Sequence, residues 1–213
     1  MNRRDKDTRL EATPILFGPQ NIVERLDWAE VFAKPQPIEV DLGCGDGSFL
    51  LQSAKGFPDR NFLGVERLKG RAVKAARKIE RAGLMNARVV RIESSYAVEW
   101  LFPVASVAAI HILFPDPWPK RRHWGRRLIQ TGFVAALWKS LAPRGEVHFA
   151  TDHKEYFDEA VPRFGKGWER VEPTIPGSSS PSLGTNEEWR TDFERDFVKE
   201  GRTIYRARFV KRD

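Results

Sequence analysis

Ile38–Gly47 reads IEVDLGCGDG, and the fold turns on this stretch. Apolar residues of strand type, Ile38–Leu42, run straight into Gly43, Gly45 and Gly47, each separated by a single residue. Glycines at such a point let the backbone turn tightly and let a ligand approach without a Cβ in the way. Ser48–Lys55 then reads as a helix, with Ser48 as its N-cap. Strand, glycine turn and helix in that order open a nucleotide-binding α/β unit.

The alternation continues on the C-terminal side. Asn61–Val65 is a second strand. Lys69–Arg81 carries Ala72, Val73, Ala76 and Ile79 at helical spacing, and Gly83 is its stop. Ala87–Ile92 reads as a third strand and Tyr96–Leu101 as a short helix. Val107–Phe114 is a nearly continuous apolar run, as in a central parallel strand buried on both faces. Arg127–Leu141 follows as a helix by period, Glu146–Ala150 as a strand, His153–Phe164 as a helix, Glu187–Glu200 as the last helix and Thr203–Lys211 as the last strand. Repeated strand–helix alternation predicts an open parallel sheet with helices on both faces, ligands binding at the carboxyl edge of its strands. Residues 1–35, polar, basic and broken by Pro14, Pro19 and Pro35, read as an N-terminal arm with one short helix near 21–32; residues 36–213 read as the domain proper. Pro176–Gly184 is low-complexity loop.

Composition narrows the class. The 213 residues are 41% hydrophobic, enough for a core without disulfide or metal support. Cys44 is the only cysteine, which rules out a disulfide-framed scaffold. No apolar run reaches membrane-span length and the N-terminus has no apolar leader, so a cytoplasmic protein is expected. Lys and Arg total 36 against 29 Asp and Glu, a net charge of +7, which suits a polyanionic partner.

The glycine turn points to one cofactor class. A dinucleotide fingerprint wants a third glycine at position 48, where Ser48 stands. Asp41 lies directly before the turn, where it would repel a pyrophosphate but attract a cationic amine and sulfonium; S-adenosylmethionine fits. Glu66 ends the second strand in LGVE, placed to accept the hydroxyls of a ribose. NAD enzymes carry an acid there too, so Glu66 marks the ribose and not the cofactor.

The fourth strand ends in Phe114-Pro-Asp116-Pro-Trp-Pro-Lys120, a stiff turn suited to fixed geometry. The prolines flanking Asp116 leave its carboxylate free for a ligand. Lys120, Arg121, Arg122, His123, Arg126 and Arg127 follow. As a solvated helix N-terminus this run would oppose the macrodipole, so it predicts bound anion, and a phosphate backbone is the obvious one. Trp118 and Trp124 are equally suited to stacking on bases and to core packing. The histidines His111, His123, His148 and His153 have no metal-ligand spacing, and no metal is expected.

FPDPWPKRRH, Phe114–His123, resembles the signature of the bacterial tRNA (guanine-N7-)-methyltransferases. The resemblance extends to HFATD at His148–Asp152, to TDFE at Thr191–Glu194 and to IYRA at Ile204–Ala207, and it spans Ile38 to Phe209. It implies a Rossmann-like class I methyltransferase fold: α/β, with a mostly parallel seven-stranded sheet flanked by helices on both faces. The implied reaction moves the methyl group of S-adenosylmethionine to N7 of a guanine of tRNA, in the variable loop. Asp41, Gly43, Gly45, Glu66 and Asp116 would bind the methyl donor. Asp116 is also the implied active-site acid. Lys120, Asp152, Thr191, Asp192, Phe193 and Glu194 would contact the substrate. The sequence departs from the family after the third strand, where Glu93, Ser95 or Tyr96 could read the adenine. The basic run, Arg121, Arg122, His123, Arg126 and Arg127, is the expected RNA contact. The arm's Arg3, Arg4, Lys6 and Arg9 serve RNA binding or solubility equally well, and monomer and homodimer both stay open.

Guanine N7 carries an in-plane lone pair at neutral pH, so its attack on a methyl group needs no general base. Asp116 and Asp152 are therefore expected to hold the guanine edge and stabilise the positive charge that grows on the ring. Two other readings compete. One is an adenosylmethionine-dependent enzyme for proteins or small molecules, but the basic run argues against a small substrate. The other, a non-catalytic RNA-binding module, is disfavoured by the joint presence of Asp41, Glu66, Asp116 and Thr191–Glu194.

Overall fold

The computed structural model describes residues 13–172 and 191–213. The basic residues of the arm's first nine positions, the loop at 176–184 and the beginning of the expected last helix lie outside the described residues.

Eight strands form one sheet in the order β1-β4-β3-β2-β5-β6-β8-β7. They are β1 Leu16–Phe17, β2 Ile38–Leu42, β3 Asn61–Val65, β4 Ala87–Val90, β5 Val107–Leu113, β6 Leu141–Thr151, β7 Trp168–Val171 and β8 Tyr205–Lys211. The first six are parallel to their neighbours, and β8 and β7 join antiparallel. The helices are α1 Trp28–Val31, α2 Ser48–Gly56, α3 Lys69–Arg81, α4 Thr131–Ser140, α5 Lys154–Ala160 and α6 Asp192–Lys199. Between β4 and β5 a helical turn, Ser94–Tyr96, runs into a π-helical turn, Ala97–Leu101.

Side chains alternate across each strand and sort into two cores. Phe62, Ala87 and Val89 pack with Leu50 and Ala54 of α2 and with Ala72, Ala75, Ala76 and Ile79 of α3. Leu63, Val65 and Val90 face the other way, toward Phe133 and Leu137 of α4 and toward Leu101. With helices on both faces, β2 is buried at all five residues, the acids Glu39 and Asp41 included. The stripe read from α3 is its buried face, and full burial of Ile79 contributes about 2 kcal/mol. No helix among the described residues is long and apolar enough to cross a membrane.

The strand count exceeds the expected seven because part of the arm joins the sheet. Leu16 and Phe17 pair with Val89 and Val90, and Ile15 is buried beside them. Further along, Leu26, Val31 and Phe32 enter the core, Leu26 N–H donates to Leu101 O at 2.8 Å, and Trp28 Nε1 donates to Ser106 Oγ at 2.9 Å. Apolar side chains scattered through a basic stretch thus cover the β4 edge and the π-helical turn. The expected helix near 21–32 contracts to α1. The helix expected from Arg127 begins only at Thr131; Arg121–Arg126 is a 3-10 turn and Arg127 is extended. β7 has no counterpart in the sequence reading, and β6 starts five residues earlier than Glu146.

From β2 the chain moves outward to β3 and β4, then returns to place β5 on the other side of β2. Strand order reverses between β2 and β5. Their carboxyl ends carry the glycine turn and the Asp116 turn, so the two motifs flank the crevice where such sheets bind ligands.

Candidate active site

The glycine turn is pinned to β3, with Gly43 and Cys44 N–H groups donating to Val65 O at 2.8 and 3.0 Å. Gly43 has φ 80° and open space where a Cβ would stand, a cradle for a ligand. Gly47 also has φ 80°, but its Cβ would lie 2.8 Å from that of Ala75, so this glycine lets α2 and α3 approach. Gly47, not Ser48, occupies the N-cap of α2. Asp46 Oδ1 takes the Ser48 N–H at 3.2 Å instead, and Asp46 is clamped by Lys78 at 2.6 Å.

Asp41 is 4% exposed and its carboxylate has no hydrogen-bond partner among the described residues. Burial, with a smaller push from the Glu66 charge, raises its pKa to about 7, against a pull downward from His111. A buried, unpartnered acid is costly until a cation arrives. Glu66, 6% exposed, accepts the Gly45 N–H at 3.1 Å on one oxygen and the Leu68 N–H at 2.7 Å on the other, tying the turn to the start of α3. Each carboxylate oxygen keeps a lone pair for a hydroxyl. Glu66→Ala is expected to weaken cofactor binding by about 1–3 kcal/mol, the scale of charge-assisted hydrogen bonds, and to leave cofactor-free tRNA binding unchanged. Titration calorimetry checks the first and filter binding the second; unaltered cofactor affinity removes Glu66 from the ribose site.

Behind Asp41 lies a polar row that includes two of the four histidines. His111 pairs with Glu39 at 3.0 Å, its ring stacks on His148 at 4.8 Å, and His148 reaches Glu146 at 3.1 Å. Burial would raise Glu146, but His148 and Arg208 outweigh it and bring its pKa down to about 2. Burial holds His148 below its ordinary value. No group of three or more His, Cys, Asp or Glu among the described residues is arranged to hold a metal ion.

Across the crevice, Phe114 has φ 53° and Trp118 φ 41°. Bulky residues in the left-handed region are strained, and such strain gathers at functional turns. The two strained residues bracket Asp116, which is exposed and makes no hydrogen bond or ion pair among the described residues. Phe114 N–H is held by Ala150 O of β6 at 2.8 Å, and its ring meets Phe197 of α6 at 5.5 Å.

Glu93 caps the turn at Ser94, accepting from Ser95 Oγ and from Tyr96 N–H, the latter at 2.9 Å. Tyr96 OH donates to Ile22 O at 2.9 Å, so the former arm reaches the region where adenine is expected.

The basic run divides. Lys120, Arg121, Arg122 and Arg126 are exposed and pair with no carboxylate among the described residues. Arg126 lies over Trp118 at 5.1 Å, Arg121 over Trp124 at 5.5 Å, and His123 meets the Trp118 ring at 5.7 Å. Both tryptophans are therefore covered by cations. Arg127 departs from expectation: it is 1% exposed, ion-paired with Glu159 and bonded through Nε to Pro117 O at 2.8 Å. Buried in this way it cannot meet a phosphate.

The expected substrate contacts also divide. Asp152 pairs with Arg202 at 2.8 Å, a guanidinium that stacks on Phe197. Thr191 Oγ1 accepts the Glu194 N–H at 3.0 Å as the N-cap of α6. Glu194 is 3% exposed and ion-paired with Arg206, so it anchors α6 to β8 instead of facing a ligand. The side chains of Asp192 and Phe193 lie outside the described residues.

Residues 35–207 match the family model described as "Putative methyltransferase". The tRNA (guanine-N(7)-)-methyltransferase of Geobacter metallireducens is 37% identical over 145 residues, 68% of this chain and 69% of that protein. The chain belongs to this methyltransferase family. A protein of the same name from Geobacillus kaustophilus is 31% identical over 206 residues, covering 95% of this chain and 92% of its own. The crystal structure of the 16S rRNA methyltransferase KamB shares the fold at a TM-score of 0.62 and 17% identity, covering 88% of this chain and 94% of that one.

The fold gathers Asp41, Gly43, Gly45, Glu66 and Asp116, together with Lys120, at one sheet edge. Missed by sequence reading were the His111–Glu39 pair behind Asp41, the strained Phe114 and Trp118, and Arg202 as the partner of Asp152. Only the prolines of the turn hinted at strain, and nothing local marked the other two.

Proposed function

We propose that the protein transfers the methyl group of S-adenosylmethionine to N7 of a guanine in tRNA. The observation that carries this reading is the pair of carboxylates, Asp41 and Asp116, on the two sides of the switch point, which have no partner among the described residues, next to the cations of Lys120, Arg121, Arg122 and Arg126, which pair with no carboxylate among them.

The cofactor, when bound, supplies an electrophilic methyl group on a positively charged sulfur. Asp41 offers a buried anion to its amine, Gly43 leaves room beside it, and Glu66 offers lone pairs to its ribose. Asp116 accepts hydrogen bonds from the guanine N1–H and N2 edge and meets the charge that grows on the ring. Asp152 can join it only while sharing its carboxylate with Arg202. Strain at Phe114 and Trp118 preorganises Asp116, so positioning dominates and no proton need be removed from N7. Lys120, Arg121, Arg122 and Arg126 hold phosphates.

The direct test incubates unmodified bulk tRNA with labelled adenosylmethionine and analyses the nucleosides. The expected product is 7-methylguanosine; label in any other nucleoside, or in none, sinks the proposal. Adenosylmethionine and adenosylhomocysteine should also raise the thermal midpoint, and NAD should not, because a ligand stabilises only the state that binds it.

The double variant Arg121→Ala/Arg122→Ala should bind tRNA more weakly while keeping cofactor affinity. Its log affinity should fall less steeply with log salt, by about 0.7–0.9 in slope for each phosphate no longer neutralised. An unaltered slope at reduced affinity shows that these side chains do not touch phosphate.

A further inference from the structure

Arg127 stands at the end of the basic run, yet its whole side chain is inside the protein. Its guanidinium is fixed from several sides. Glu159 of α5 holds Nη1, the Trp124 ring lies 4.4 Å from Cζ and the Tyr156 ring 5.0 Å. Gln130 Nε2 donates to the carbonyls of Trp124 and Arg127 at 3.0 and 3.1 Å, and Tyr156 OH accepts the Ile129 N–H at 3.1 Å. So held, Nε donates to Pro117 O at 2.8 Å. That carbonyl belongs to the peptide joining Pro117 to Trp118, which leads into the left-handed φ of 41° at Trp118. It also follows Asp116 directly.

A strained backbone persists only where its surroundings over-determine it. The prolines restrict the turn, but Pro117 and Pro119 have no N–H with which to anchor it. Arg127 supplies the missing anchor through a carbonyl. Its Nη2, on the same edge of the guanidinium as Nε, is buried without a partner among the described residues. A buried unpaired donor costs free energy, so packing alone does not account for this arginine.

We propose that Arg127 is a positioning residue for methyl transfer: it locks the Pro117–Trp118 peptide, and through it Asp116, and does not bind RNA. Through Glu159 it also links this turn to α5, the helix that follows Asp152. This inference rests on the methyl-transfer reading above.

The test is Arg127→Met, which keeps length and removes the donors; Glu159 keeps Arg163 as a partner, so no carboxylate is orphaned. Single-turnover methyl transfer at saturating tRNA should fall about 10–100-fold, the cost of a small misplacement of a reacting group. Dissociation constants for tRNA and cofactor should stay within about twofold, as a brace and not a ligand contact requires. Amide exchange at Phe114 and His123, whose hydrogen-bonded N–H groups stand at the two ends of the turn, should quicken, with the strands unchanged. Arg127→Lys, which can reach only one acceptor well, should fall between wild type and Met. Wild-type rate and wild-type exchange in a folded Arg127→Met protein overturn the proposal. So does a loss confined to tRNA affinity with a shallower salt slope, which returns Arg127 to the RNA contacts. Should the Met variant not fold, the same measurements on Glu159→Gln, which loosens the hold on Nη1, decide. If wild type forms no 7-methylguanosine, the methyl-transfer reading fails, and amide exchange alone then decides whether Arg127 locks the turn.

Discussion

Asp116→Asn is expected to lose about 10²–10³ in the single-turnover rate of methyl transfer, the scale for removing one preorganised electrostatic contact. Asparagine matches aspartate in size, so the turn between Phe114 and Trp118 should survive. It replaces one carboxylate oxygen by a donor, which faces the guanine N1–H and N2 donors with the wrong polarity. It also withdraws the negative charge that meets the cationic ring. Folding and tRNA affinity should remain close to wild type, because the exposed side chain makes no bond within the described residues. With cofactor saturating, the wild-type rate should show no steep dependence on a group titrating near neutrality, since N7 is already unprotonated. Quench-flow with labelled methyl donor measures both. A near wild-type rate in a folded, cofactor-bound Asp116→Asn protein means that the residue merely shapes the turn.

Asp41 should give cofactor binding a pH dependence of its own. Its pKa stands at about 7, chiefly through burial, with Glu66 adding to the rise and His111 opposing it. The cationic amine of the cofactor needs the ionised carboxylate. As pH falls below about 7 the acid must release a proton on binding, and affinity should drop by up to about tenfold per pH unit. Asp41→Asn should bind weakly and with this dependence removed between pH 5.5 and 7. The same shift acts on the cofactor-free fold with the opposite benefit. A raised carboxyl pKa favours the protonated native state, so this contribution is fully present below the unfolded value of 3.8 and is lost as pH rises through about 7. Three pKa units correspond to about 4 kcal/mol at most. Asp41→Asn should therefore raise the cofactor-free thermal midpoint at pH 8, by about 2–4 °C per kcal/mol relieved. A midpoint that falls instead, or a cofactor affinity flat from pH 5.5 to 7 in wild type, removes Asp41 from the amine site.

Much of this molecule could be read without coordinates. β3 and α3 have the boundaries that pattern predicts, because alternation and the 3.6-residue period record burial directly. The glycine turn and the Asp-Pro-Trp-Pro turn were legible because unusual backbone geometry demands particular residues. Other parts of the reading met competition from across the fold. Arg127–Gln130 has helical composition but not helical structure: the carbonyl of Pro117 and, from 32 residues further on, the carboxylate of Glu159 claim the Arg127 side chain, and its backbone is extended. Leu16 and Phe17 become a strand only because β4 presents an open edge. Thr191 and Glu194 looked like ligand contacts, yet Arg206 on β8 draws Glu194 inward.

The sequence by itself determined the alternation of strands and helices from β2 to α5, the sheet edge at which a ligand is expected and the acids that stand there, since each is written in residues near one another in the chain. Only the tertiary structure decided the state of those acids. Burial between β3 and β5 raises the pKa of Asp41 to about 7; Asp116 is exposed on the turn that follows β5; Arg127 leaves the exposed basic run because Glu159 and Tyr156 enclose it. Solvation and pairing depend on what folds against a residue, and a neighbour far along the chain leaves no local mark.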